Sequence, residues 1–310
     1  MKKGIVLLLC STLALVGSAQ TGESINALID RLNADLARYA DFSPPPFADE
    51  YLSIAELGLS ETDERLLLEE ESYDNNLSDG KDSVTSMYVM DFYQERILVK
   101  IDSLVDHPDF TKTDIADLIN LSHDLSFVCS DDRKLCNFSL AEKTGGTYRS
   151  RISFMYYADL QRPDTTANDQ DQHDPYEVFE RDGYGEIYTI KTEKGTRYVL
   201  SGHVRGCSYC FETHVSMVGY EDGVFKTFFH YSITSRDATT GVTYEPETQR
   251  IVVDYETDDL TPECDCGQES EFTSVEEEFD FDSTWNCHCS FQFNGLNFEL
   301  VRESREKAKH

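Results

Sequence analysis

The sequence predicts an α+β protein in which N-terminal helices pack on a curved antiparallel β-sheet or β-sandwich. Three observations carry this. Apolar residues recur at helical spacing up to about residue 121. From Leu125 onward the pattern switches to period two and to aromatic and β-branched residues. Glycine, asparagine and aspartate turns punctuate that second part.

Ser24 to Ala40 reads as an amphipathic helix, because Ile25, Leu28, Ile29, Leu32 and Leu36 share one side of the wheel. Pro44-Pro45-Pro46 forbids its continuation and makes a stiff connector. A second short helix is expected from Glu61 to Glu71, followed by a turn-rich stretch through Asp74-Asn75-Asn76 and Asp79-Gly80. A third is expected from Phe92 to Asp106, stopped by Pro108, and a fourth from Thr113 to Leu121.

Strands are expected near Leu125 to Ser130, Lys134 to Leu140, Arg149 to Tyr157, Tyr184 to Lys191, Arg197 to Gly202, Phe211 to Tyr220 and Val224 to Ile233. Val242 to Glu245, Gln249 to Tyr255, Trp285 to Phe293 and Leu296 to Arg302 complete the set. The sharpest hairpin signal is Asn294-Gly295 between alternating aromatic residues, where the dipeptide would supply both positive-φ positions of a tight turn. Pro246 to Thr248 marks a second turn. The strands are too few for a propeller of four-stranded blades. Arg162 to Pro175 reads as an exposed polar loop. Glu256 to Asp282 carries twelve acidic residues and no lysine or arginine, so it is not expected to be core and reads as a long acidic excursion or as a pair of short strands with an acidic outer face.

Lys2 and Lys3, the apolar run Ile5 to Val16 and the small residues Gly17-Ser18-Ala19 have the form of a secretory leader, with cleavage expected after Ala19. The run is shorter than the roughly 20 residues of a spanning helix. The chain therefore divides into a leader at 1–19, a helical region at 20–124, an antiparallel β domain at 125–303 with an acidic excursion at 256–282, and a polar tail at 304–310. A secreted or periplasmic location is expected. The formal charge of −32 repels phosphate backbones and anionic lipid, so nucleic acid and membrane insertion are not expected.

Without Cys10 in the leader, an even set of cysteines remains for an oxidising compartment: Cys129, Cys136, Cys207, Cys210, Cys264, Cys266, Cys287 and Cys289. All are expected in disulfides. Cys129 and Cys136 flank the Asp131-Asp132 turn and can face each other across it. The two C-x-C segments each put both sulfurs on one face of an extended chain. If antiparallel, they pair Cys264 with Cys289 and Cys266 with Cys287. The competing reading gives those four thiolates, with His288 nearby, to zinc, but structural zinc prefers C-x₂₋₄-C knuckles and reduced thiols. Cys207-Ser208-Tyr209-Cys210 has oxidoreductase spacing without the following helix that lowers the thiol pKa.

No catalytic signature stands out. His203, His214 and His230 fall on consecutive strands without ligand spacing, and Ser201-Gly202-His203 lacks a nucleophile elbow. Neither Asp74 to Asp82 nor Asp164 to Asp174 fits the twelve-residue calcium loop. No metal and no cofactor is expected. The expected function is a non-enzymatic binding or structural module for an unknown protein or small-molecule ligand. The alternative is a secreted hydrolase using a carboxylate pair.

Overall fold

The structure is a computed structural model that describes residues 23–42, 51–74, 83–122, 124–143, 150–160, 175–176, 178–179, 183–205, 211–235, 241–257, 266 and 284–308. The leader, the triple proline, residues 162–174 of the polar loop, Cys207, Cys210 and Cys264 lie outside these residues, as does most of the acidic excursion.

Helix α1 (Ile25–Asp41) starts where Ser24 accepts a hydrogen bond from the Ala27 N–H at 3.3 Å, which satisfies one of the orphan donors of the first turn. Two short strands, β1 (Tyr51–Ser53) and β2 (Ser83–Thr85), pair with each other and bracket α2 (Ile54–Leu57) and α3 (Glu61–Asp74). Helix α4 (Ser86–Val105) begins at a Thr85 cap, earlier than the expected Phe92. Met87, Tyr88, Val89 and Met90 are apolar or aromatic without interruption, so that first turn shows no 3.6 period. The expected helix from Thr113 to Leu121 is instead a 3₁₀ turn (Phe110–Lys112) and a single-turn α5 (Ile115–Leu118). The Thr113 hydroxyl donates back to the Asp109 carbonyl, and Ile119 is extended. No helix among the described residues is long and apolar enough to cross a membrane.

The remainder is antiparallel sheet. One sheet holds β3 (Leu125–Cys129), β4 (Leu135–Ala141) and β5 (Arg151–Tyr157) in that order. A second holds β6 (Tyr184–Thr192), β7 (Gly195–Arg205), β8 (Phe211–Glu221) and β9 (Val224–Ser235). A third holds β10 (Gly241–Glu245), β11 (Arg250–Thr257), β12 (Trp285–Phe293) and β13 (Phe298–Lys307). Strand β13 runs on through Lys307, into the expected polar tail. Its residues pair with β12 as far as Trp285, whose ring lies under the Arg305 guanidinium at 4.4 Å. Charges on both faces had hidden its period.

Two expected turns differ in detail. The β12–β13 connection spans Asn294 to Asn297, and of these only Gly295 has positive φ. The Asn294 carboxamide oxygen accepts from the Leu296 and Asn297 N–H groups, so the side chain closes the loop in place of a two-residue turn. At the β10–β11 turn the left-handed residue is Gln249, at φ 50°.

Each layer is joined to the next by apolar burial. Leu32 and Leu36 of α1 meet Ile97, Ile101 and Leu104 of α4, and this core continues into Leu125, Phe138 and Leu140 on one face of the β3–β5 sheet. The opposite face offers Leu135, Met155 and Tyr157 to Tyr198, Leu200 and Phe225 of the β6–β9 sheet. Val199, Val215, Met217 and Phe229 leave the other side of that sheet to meet Ile251, Val253 and Phe291 of the β10–β13 sheet. A sheet covered on both faces needs a continuous apolar run, which Tyr198-Val199-Leu200 supplies. At about 1.5–3 kcal/mol per fully buried large apolar side chain, these contacts dominate the favourable side of folding.

Two buried charges are compensated. Asp35 on α1 receives Arg96 at 3.1 Å and also Lys100, both from α4. Arg197, 1% exposed, pairs with Glu221 and lies 3.8 Å over the Phe228 ring. Its room is made by Gly219, where an added Cβ would fall 2.4 Å from the Arg197 Nη1 atom. Gly219→Ala is therefore expected to lower stability by about 1–3 kcal/mol, read from the shift of a urea unfolding midpoint.

Burial raises the pKa of Tyr39, Tyr93, Tyr157 and Tyr198, and pushes Tyr244 up to about 12. A folded-state pKa above the unfolded value of about 10 stabilises the fold fully below pH 10, and that contribution is lost as pH climbs past it. Alkaline unfolding above pH 10 is expected, with phenolate absorbance at 295 nm rising together with loss of far-ultraviolet ellipticity. Tyrosines that ionise near pH 10 while the ellipticity stays native would contradict it.

Candidate functional site

The β3–β4 hairpin is built by its turn residues. Ser130 and Arg133 close the turn through Arg133 N–H to Ser130 C=O at 2.8 Å, with Arg133 left-handed at φ 55°. Asp132 binds the turn from inside, accepting from the Ser130 hydroxyl at 2.7 Å and the Lys134 N–H at 3.1 Å. It also ties the tip to the next sheet by accepting from the Tyr198 hydroxyl at 3.2 Å. Asp131 does the same with the Thr189 N–H at 3.4 Å.

Cys129 and Cys136 stand directly opposite in this register and are joined by a disulfide, with Cα atoms 4.0 Å apart. Backbone bonds at Ser130–Leu135 and Asp124–Ala141 make the intervening Cys129–Cys136 and Phe127–Phe138 pairs non-hydrogen-bonded. The N–H and C=O groups of Phe127 and Cys129 consequently point away from β4. On that side β3 has no strand partner among the described residues.

A recess of about 280 Å³ lies between this hairpin and the Phe110–Ala116 segment. Phe110, Ile115, Phe127 and the Cys129–Cys136 disulfide form its apolar floor, and Thr111, Thr113, Asp114, Ser130, Asp131 and Arg133 its polar rim. Asp114 and Arg133 meet across it at 3.5 Å, both more than half exposed, so the pair contributes little energy. Phe127 also borders a more open depression of about 500 Å³ with Leu121, Ser122, Leu125 and Ser126. The two hollows share Phe127 and both border β3; together they are termed the groove. Its far wall is fixed by Asn33 of α1, which donates to the Leu118 carbonyl at 2.9 Å and accepts from the Asn120 N–H at 2.8 Å. Leu121, which lines the open depression, stays 40% exposed. The floor is rigid, since Phe110, Phe127, Phe138 and Tyr156 stack edge-to-face or tilted with centroids 4.4–6.4 Å apart.

The second cysteine cluster departs from the expected pairing. Cys266 is joined to Cys289, not to Cys287, and Cys287 is itself disulfide-bonded. Both edges of β12 are occupied, by β11 and β13, which leaves no edge of it for a further strand. Cys287 and Cys289 do share the inner face, both buried with Cys266 in the core between the second and third sheets. With three of the four proposed ligands oxidised, the zinc reading fails. Among the described residues no group of His, Cys, Asp and Glu could hold a metal ion. The three histidines do not meet: His214 and His230 share a face by register, whereas His203, opposite Thr213, projects from the other. His230 Nδ1 lies 2.8 Å from the Ser216 hydroxyl.

Two arrangements resemble catalytic ones. Asp254, His288 and Ser304 lie in one row across β11, β12 and β13, with His288 Nδ1 2.7 Å from Asp254. Asp91, next to Glu142, has its carboxyl pKa raised, first by desolvation and second by that neighbour. The row sits on an open sheet face, with Asp254 60% and His288 30% exposed, and none of these residues lines either hollow beside β3. No family model, no curated protein and no solved structure matches the chain.

The groove was not legible beforehand, because its far wall sits in the stretch expected to be helix. The one sequence signal was the uncharged strand Leu125 to Cys129 beside a polar turn. Alkylation of the unfolded, unreduced protein is expected to leave Cys129, Cys136, Cys266, Cys287 and Cys289 unlabelled in a peptide map. Replacing both Cys129 and Cys136 by Ser is expected to cost about 2 kcal/mol.

Proposed function

We propose that the protein is an exported, non-enzymatic binding module whose recognition surface is the groove along β3. The observation that carries this is the coincidence of an unpaired strand edge with an aromatic floor and an exposed leucine, Leu121, on one wall. Large apolar groups left open beside unsatisfied backbone mark interaction sites in folded proteins. Export is supported by the leader pattern in residues 1–19 and by the disulfides, which persist in oxidising compartments. The cores on both sides of the β6–β9 sheet support a sandwich-like scaffold, which holds the hairpin tip through Asp131 and Asp132.

The oxidised full-length protein is expected to bind members of a random peptide array saturably. Leu121→Asp, an exposed position, is expected to weaken that binding at least about tenfold, the equivalent of about 1.4 kcal/mol, with an unchanged melting temperature. Binding that survives Leu121→Asp moves the site elsewhere. Turnover of ester or amide substrates that disappears in Ser304→Ala would replace this reading with a hydrolase built on the Asp254–His288–Ser304 row.

A further inference from the structure

We infer that the groove takes one class of ligand, an extended cationic peptide segment that adds to β3 as a further strand; this rests on the binding reading above. Four observations converge on it.

The first is backbone geometry. Phe127 and Cys129 each present an N–H and a C=O outward, a repeat of about 7 Å that only another extended chain matches at every group. The second is a contrast between two sheet edges of the same molecule. Edge strand β13 reads Phe-Glu-Leu-Val-Arg-Glu-Ser-Arg-Glu-Lys, and its charges blunt it against pairing. Edge strand β3 reads Leu-Ser-Phe-Val-Cys and carries no charge.

The third is preorganisation. The disulfide fixes Cys129 to β4, and Asp131 and Asp132 anchor the adjoining tip on β6 and β7. Little conformational entropy then remains to be lost on binding. The fourth is charge. Asp109 is neutralised by Lys112 at 2.9 Å and Asp114 by Arg133 at 3.5 Å, whereas Asp131, on the rim of the recess, has no ion-pair partner among the described residues. In a chain of net charge −32, that residue of negative charge beside the groove selects a basic segment and speeds its approach. Alternate side chains of the added strand would fall toward the Phe110–Ile115 recess, and the flanking lysines or arginines toward the carboxylates.

The test uses the oxidised full-length protein and labelled peptides of about nine residues, valine alternating with threonine around a central phenylalanine, with lysine at both ends. Fluorescence anisotropy is expected to show saturable binding. Methylating one backbone nitrogen at a time is expected to weaken it about tenfold or more at alternate positions only, since every second N–H faces β3. Replacing the lysines by glutamate is expected to weaken it at least about tenfold at low salt, with the gap closing near 0.5 M salt. Binding without the alternation overturns strand addition and leaves the binding reading standing. Failure of these peptides while other array members bind also overturns it. A concentration-dependent dimer in sedimentation, abolished by Leu121→Asp, overturns it in favour of a second copy on the same edge. Absence of any saturable ligand on the array overturns the binding reading itself.

Discussion

Six of the seven residues of β4 are buried, and the molecule is organised by that constraint. A central strand covered on both faces has to meet apolar material in two directions. Phe138 and Leu140 meet it in the helices, and Leu135 meets it in the β6–β9 sheet. The helices are thus the cover of one sheet face, and the boundary near residue 124 separates element types without separating cores. The polar residues of β4 follow the same logic. Ser139 lies in register between Ser126 and Ser153, and its hydroxyl accepts from the Arg151 Nε at 2.8 Å, while the Arg151 Nη2 reaches the Ser126 hydroxyl at 3.3 Å. Alternation along one strand therefore places aromatic packing on one side and a guanidinium network on part of the other.

Because β4 is fixed, β3 is held with it and its outer edge is left where it is. The 110–122 segment does not close over that edge as one helix, since Thr113 and Ile119 are extended and Asn33 holds the chain on both sides of Ile119. Helix α1, placed by its own apolar stripe, thereby shapes a groove wall far from it in sequence.

Much of the architecture was legible because period two survives wherever one sheet face is buried. The Val224–Ser235 and Arg250–Thr257 strands are of this kind, and α1 was legible through its stripe and its Ser24 cap. What escaped was local chemistry without a period. The first turn of α4 is apolar all round, and β13 is charged on both faces. The cysteine pairing escaped for a different reason. Spacing fixes which face a sulfur occupies, but which partner arrives there depends on β11 and β13 already flanking β12. The groove is harder still, being made of what the chain leaves unpaired, which no propensity scale records.

The Cys266–Cys289 bridge closes a covalent ring across 23 positions of sequence, most of it within the acid-rich stretch. One proteolytic nick inside that ring would leave two polypeptides still tethered through sulfur. Strands β11 and β12, one on each side of the cut, would keep their ladder, and the chain after Cys289 would stay in place until a reductant arrived.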